Sequence, residues 1–225
     1  MKKIVLILLV VCFGFSAAVV AQSARHSVKF SSHIEGTDDV NITSQEIPDQ
    51  DYIFLGNKSK MSISASGMTQ SIIVDGDKQT YTLVLETPME GYYLEMPFSE
   101  IKEKSGNVDF KYEYTNETKT IAGVECKKVL IQQIDNETDE IINIVVYVTN
   151  LLPDVLNEAT YIGLKGYPLR TEMPSAELGE GVVLVTEAVE FTPSKKIKEI
   201  NFMLSDGLKN MREDPELMKQ IMGEE

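Results

Sequence analysis

The chain has 225 residues, with 21 lysines and arginines against 35 acids and a formal net charge of −14. So acidic a surface repels phosphate backbones, which excludes nucleic acid as an expected partner. Two histidines, two cysteines and no tryptophan leave little material for metal, thiol or proton-transfer chemistry, so a non-enzymatic protein without a cofactor is expected.

The first element in chain order is a leader. Lys2 and Lys3 precede an uncharged run from Ile4 to Val20, and Val19-Val20-Ala21 supplies the short side chains that signal peptidase requires ahead of Gln22. This is the anatomy of a secretory signal peptide (residues 1–21) cleaved after Ala21. An uncleaved anchor is the alternative, since a spanning helix takes about 20 apolar residues. Cys12 follows Leu9-Val10-Val11, which superficially suggests a lipoprotein box. Val11 is branched where that box needs a small residue, however, and apolar residues continue past the cysteine. Export predicts the periplasm or cell envelope as the location. Cleavage leaves Gln22–Glu225 with 19 basic against 35 acidic residues, near −16. Cys126 is then alone, and no intramolecular disulfide is possible. Four Asn-x-Ser/Thr triplets, at Asn41, Asn57, Asn116 and Asn136, read as turn chemistry.

From Ser27 onward the dominant period is two. Val28, Phe30 and Ile34 alternate with Lys29, Ser31 and His33; Met61, Ile63 and Ala65 alternate with serines. Tyr81, Leu83 and Leu85 follow, then Tyr92, Leu94 and Met96, then Val108, Phe110, Tyr112 and Tyr114, then Ile142, Ile144, Val146 and Val148. Alternation of this kind leaves one face buried and one wet, as in an antiparallel sheet. Asp75-Gly76-Asp77 and Asp135-Asn136-Glu137 read as hairpin turns, and Gly179-Glu180-Gly181 opens a strand from Val182 to Phe191. About ten strands in one domain are expected, a sandwich, barrel or half-barrel. Helix is scarce. Leu151–Ala159 reads as a short helix or loop, and Asp214-Pro215 caps a short amphipathic helix bearing Leu217, Met218, Ile221 and Met222, preceded by Leu208 and Met211.

The candidates for chemistry are few. His26 and His33 are an odd number of residues apart, so on one regular strand they point to opposite faces and cannot share a metal ion, and each reads as a surface residue. Cys126 falls on an apolar strand face with Val124, Leu130 and Ile134, which predicts an inert, buried thiol. The acidic turn Asp135–Glu140 lacks the glycine and distal glutamate of a calcium loop. Nine methionines (Met61, Met68, Met89, Met96, Met173, Met203, Met211, Met218 and Met222) suit either adaptable apolar surfaces or irregular cores.

Several segments together resemble a known family. They are Asp51-Tyr-Ile-Phe-Leu-Gly-Asn-Lys-Ser-Lys-Met61, Ser71-Ile-Ile-Val-Asp75, Tyr81-Thr-Leu83, Lys119-Thr-Ile-Ala-Gly-Val-Glu-Cys-Lys-Lys128, Val145-Val-Tyr-Val-Thr149 and Gly163-Leu-Lys-Gly-Tyr-Pro-Leu169. Their order and spacing resemble an exported bacterial family of unknown function, related to the LolA/LolB-like lipoprotein carriers, over about Lys29 to Leu204. The resemblance implies a strongly curved antiparallel sheet, an incomplete barrel, with short helices across its concave face, a concavity that accepts acyl chains in the carriers. No individual functional residue of a carrier can be matched to this chain.

Two functions follow as expectations. The first is an envelope protein that binds an apolar ligand, a lipid or lipoprotein acyl chain, by burial rather than chemistry. Met61, Ile63, Tyr81, Leu83, Tyr92, Leu94, Phe110 and Tyr112 are the candidate lining, since they occupy the apolar phase of successive strands. The second is an envelope interaction module with a filled core, whose partner is another protein.

Overall fold

A computed structural model describes residues 25–43, 47–104, 106–175 and 177–214; the leader and the helix expected after Asp214 lie outside the described residues. The period-two segments form strands. β1 (Arg25–Glu35), β2 (Gln50–Leu55), β3 (Lys58–Ala65), β4 (Met68–Asp75), β5 (Thr80–Glu86) and β6 (Gly91–Pro97) make one meander. A second comprises β7 (Val108–Ile121), β8 (Val124–Asp135), β9 (Ile141–Thr149), β10 (Tyr167–Pro174) and β11 (Val183–Pro193). Antiparallel pairing of β1 with β11 joins the two, and a two-residue β12 (Lys209–Asn210) runs parallel to β6. The result is one twelve-stranded sheet in the order β12-β6-β5-β4-β3-β2-β1-β11-β10-β9-β8-β7, open at both edges. The fold is mainly β, as the alternation predicts, with short helices α1 (Val40–Thr43) and α2 (Phe98–Lys104).

The connectivity forbids a flat sheet. Ten inter-strand steps separate β6 from β7, about 48 Å if the strands lay side by side in a plane. Yet only residues 98–107 connect them, seven of which are helical. A seven-residue helix rises about 10 Å and the remaining links add about 3.5 Å each, so the connector reaches at most about 28 Å. The end of β6 therefore approaches the start of β7 across space. Register shifts at Lys29/Phe30, Pro168/Arg170 and Tyr114/Thr118 mark where strands bend, as bulges do. At Pro168 the shift also accommodates a residue with no ladder N–H to give.

Registers define the two faces. The inner face carries Val28, Phe30, Tyr52 and Phe54 on β1 and β2 and continues as the row Met61–Ile72–Leu83–Leu94 across β3 to β6. Residues 150–166, the insert between β9 and β10, supply Leu152 and Leu156 to a cluster with Val28, Phe30, Phe54 and Val74. The same insert gives Tyr161 and Leu164 to a second cluster with Val129, Ile131, Ile144 and Val146. The expected short helix or loop over 151–159 is a 3-10 turn, Asp154–Asn157. A Cβ at Gly76 would lie 2.6 Å from the Val155 side chain, so the β4–β5 turn and the insert touch.

On the outer face a strap, residues 194–214, runs from β1 to β6. The Ser194 N–H donates to the Arg25 carbonyl (2.9 Å), Glu199 pairs with Lys58 (2.5 Å), and Arg212 donates to Glu95 O (3.1 Å) and Glu100 (2.6 Å). Leu208 and Met211 thus belong to the strap on either side of β12, Met211 fully buried. Arg170, its side chain 10% exposed, ties three strands together by pairing with Glu172 (2.7 Å), Glu187 (2.6 Å) and Glu35 (3.4 Å). Burial pulls Glu187 upward, but hydrogen bonds from Arg170 and Lys119 outweigh it and hold its carboxyl below the ordinary range.

Three local expectations are corrected. Asn41 lies in α1 and Asn116 within β7 at its register shift, so neither occupies a hairpin turn. His26, expected at the surface, is half-buried against Phe191 with ring centroids 4.6 Å apart, and its Nδ1 is buried without a partner; burial lowers its pKa. The face expected to hold Cys126 with Leu130 and Ile134 breaks: Val129 and Ile131 are the buried residues of β8 beyond Cys126.

Phe54, fully buried at the junction of β2 with the insert, is the test of this core. Phe54→Ala is expected to destabilise the fold by about 3–5 kcal/mol. Met89→Ala, at a residue 95% exposed, should stay within about 0.5 kcal/mol of wild type. Urea denaturation followed by circular dichroism measures both, and equal midpoints for the two variants would contradict the assignment of the core.

Candidate functional site

Where the insert crosses β1, β2, β10 and β11 it does not seal the inner face. A cleft of about 260 Å³ remains, walled by Leu156, Asn157, Thr160 and Tyr161 of the insert and floored by Phe30, Gln50, Tyr52, Tyr167, Pro168, Thr171, Met173 and Thr186. None of these side chains carries a formal charge, which stands out in a chain of net −14. Its ionisable groups are phenols. Burial pushes Tyr52 up to about 12 and Tyr167 well above its ordinary value, and it raises Tyr161 as well. All three stay neutral at physiological pH and serve as hydrogen-bonding or stacking groups, not as bases. Tyr52 and Tyr167 flank Phe54, stacked at 5.9 Å and edge-on at 5.1 Å.

The cleft adjoins an apolar floor through the Tyr52–Met61 pair. From Met61 the row runs through Ile72 and Leu83 to Leu94; beside it lies Ile63–Gln70–Leu85–Tyr92, and on the other side Val74–Tyr81–Met96. Met61 and Leu94 are buried, whereas Ile63, Ile72, Tyr81, Leu83, Leu85, Tyr92 and Met96 are each only half-buried. Six expected lining residues, Met61, Ile63, Tyr81, Leu83, Tyr92 and Leu94, therefore share one continuous face.

Phe110 and Tyr112 stand elsewhere. They lie on β7, at the opposite edge of the sheet, where Phe110 meets Tyr161 edge-on at 6.1 Å. The Tyr112 hydroxyl donates to the Ile162 carbonyl (2.9 Å), and the Tyr114 hydroxyl accepts from the Lys165 N–H (2.8 Å). Within the insert, Asn157 Nδ2 donates to the carbonyls of Leu164 (3.4 Å) and Gly166 (2.7 Å), and Lys165 pairs with Asp154 (3.1 Å). These contacts position the insert over the cleft. Sequence reasoning missed Phe30, Tyr52, Tyr161 and Tyr167 as lining. Phe30 and Tyr52 carry a strand-phase signal, but Tyr161 sits in a segment with no period.

The remaining candidates resolve individually. His26 and His33 occupy opposite faces, and His33 contacts Glu35 (2.8 Å). The Asp135 carboxylate accepts the N–H groups of Glu137 and Thr138 (2.8 and 3.1 Å), closing the hairpin turn. Met61 and Met211 are core, while Met68, Met89, Met173 and Met203 are exposed. Among the described residues no helix is long and apolar enough to cross a membrane. These features define an open antiparallel sheet whose inner face is partly occupied by its own insert and keeps an uncharged cleft. No protein-family model and no curated protein matches the chain.

Cys126 is fully buried, and burial, with smaller contributions from Glu125 and Glu187, pushes its thiol from an ordinary value near 9 up to about 11. The folded state thus holds the proton more tightly than the unfolded state. This contribution to stability is fully present below about pH 9 and is lost as pH rises from about 9 to about 11. The stability difference between wild type and Cys126→Ala should accordingly shrink over that interval. Denaturation curves across it, together with slow native labelling by a thiol reagent at pH 8, provide the check; rapid native labelling would contradict the burial.

Proposed function

We propose that this chain is a non-enzymatic exported protein of the cell envelope that holds an apolar ligand, a lipid or lipoprotein acyl chain, against the inner face of a strongly curved half-barrel. The observation that carries the reading is the apolar floor in which Ile63, Ile72, Leu83, Leu85 and Tyr92 stay only half-buried between the buried Met61 and Leu94, continuous with a cleft that has no charged side chain. A face meant only as core would have these residues fully covered. Binding there needs no catalytic group, since each methylene removed from water contributes about 0.8 kcal/mol. The short β6–β7 connector and the bends at the register shifts support the curvature. The leader supports export, with cleavage after Ala21.

One observation favours a second reading, an envelope interaction module with a filled face and a protein partner. Leu152, Leu156, Tyr161 and Leu164 already occupy the centre of the inner face, and the remaining cleft lies just under the roughly 300–1,000 Å³ of typical ligand pockets. Native mass spectrometry of Gln22–Glu225, purified from an envelope fraction without detergent, separates the two readings. A stoichiometric lipid or acyl species is expected. Leu83→Glu, at a half-buried position, should abolish its retention in a variant that still unfolds cooperatively. A bare mass that stays bare after incubation with lipid vesicles, or full retention by a folded Leu83→Glu variant, refutes ligand binding on this floor.

A further inference from the structure

The strap breaks two rules that the rest of the surface obeys. In a chain of net charge −14, Lys195, Lys196 and Lys198 lie within four positions, all exposed. Directly after them Ile200, Met203 and Leu204 stand 65%, 62% and 37% exposed. Single exposed apolar residues are ordinary; three in five positions beside three lysines are not. The strap is held firmly enough to present them. Ile197 is buried beneath it, Asn201 Oδ1 accepts the Lys198 N–H (2.8 Å), and Arg25 donates to the Ile197 carbonyl (3.4 Å). Glu199 is occupied by Lys58 (2.5 Å), while among the described residues no carboxylate pairs with the three lysines. Asp206 is the next acid along the chain.

We propose that the segment Lys195–Leu204 docks this protein on the surface of an anionic phospholipid bilayer. The lysines supply attraction to the headgroups, and Ile200, Met203 and Leu204 enter the boundary between headgroups and acyl chains, the division of labour found in peripheral membrane segments. Charge selects this occupant. An anionic surface repels the acidic body, so contact is favoured through a locally basic segment such as Lys195–Lys198. The segment lies on the outer face, opposite the apolar floor, and the inference does not depend on whether that floor binds a ligand.

The test uses Gln22–Glu225, which contains every described residue of the fold. Cosedimentation with vesicles of mixed phosphatidylcholine and phosphatidylglycerol is expected at low salt, with far weaker binding to phosphatidylcholine alone. Each lysine near an anionic surface contributes about fivefold in affinity. Lys195→Gln, Lys196→Gln and Lys198→Gln combined should therefore weaken binding by more than tenfold, and Ile200→Ser with Met203→Ser should do likewise. Because the chain has no tryptophan, Met203→Trp makes a unique reporter; its emission should shift to the blue on mixed vesicles and be quenched by brominated lipid. Absence of binding to mixed vesicles, an unshifted reporter, or binding that both multiple variants leave intact overturns the proposal. If the surface serves an acidic protein instead, the vesicles fail to bind and the proposal falls with them.

Discussion

A lone sheet has no second sheet against which to bury its apolar face, and this constraint organises the molecule. The inner rows from β11 through β6 need cover, and the chain supplies it from its own connections. The insert of residues 150–166 reaches both meanders, touching Gly76 at the β4–β5 turn and β7 through Tyr112 and Tyr114. It can do so only because the short β6–β7 connection brings the two sides of the sheet towards one another. Sheet, insert and cleft are thus one device: the insert covers the centre of the inner face incompletely and leaves the cleft beside it.

The Arg170 cluster stands at the seam of the two meanders. Its guanidinium engages Glu35 on β1, Glu172 on β10 and Glu187 on β11, while Lys119 approaches Glu187 (3.1 Å) and the Tyr147 ring (5.7 Å). A cluster of one buried guanidinium and partly exposed carboxylates is weak support for stability in itself, because desolvation of Arg170 and solvent screening offset much of the attraction. Its geometric role is clearer. Among the described residues the β1–β11 pairing is the only ladder joining the halves, and three carboxylates on one planar fork restrict how those strands can slide.

The strands were legible because alternation is a local property, and each strand reports its own phase. Six lining candidates fell on one face for that reason. Phe110 and Tyr112 have the same phase signal, but phase cannot say which edge a strand occupies. That depends on β1 pairing with β11 across more than 150 residues. β10 was masked by Pro168 and Pro174, and β12 is too short for any period to show. The insert was the largest loss. Leu152 and Leu156 are four positions apart and Tyr161 and Leu164 three, but only a 3-10 turn, Asp154–Asn157, forms between them, so no single period joins all four to one face. For Cys126 the thiol's burial was legible, whereas its neighbours were not, since β8 changes its buried phase between Cys126 and Val129.

Magnitudes constrain how a ligand on the proposed floor and the insert share the inner face. Exposing a buried leucine costs about 1.5–3 kcal/mol. Lifting Leu152, Leu156 and Leu164 together with Tyr161 would therefore cost on the order of 8 kcal/mol, before the loss of the Tyr112 and Asn157 hydrogen bonds. At about 0.8 kcal/mol per methylene, a ligand must bury about ten methylenes merely to offset that displacement. Shorter apolar ligands are confined to the existing cleft and the open rows beside Leu83, where nothing has to move. Long acyl chains alone carry enough apolar surface to compete with the insert. A ligand on the proposed floor would therefore be discriminated by length rather than by headgroup, since the cleft has no charge with which to read one.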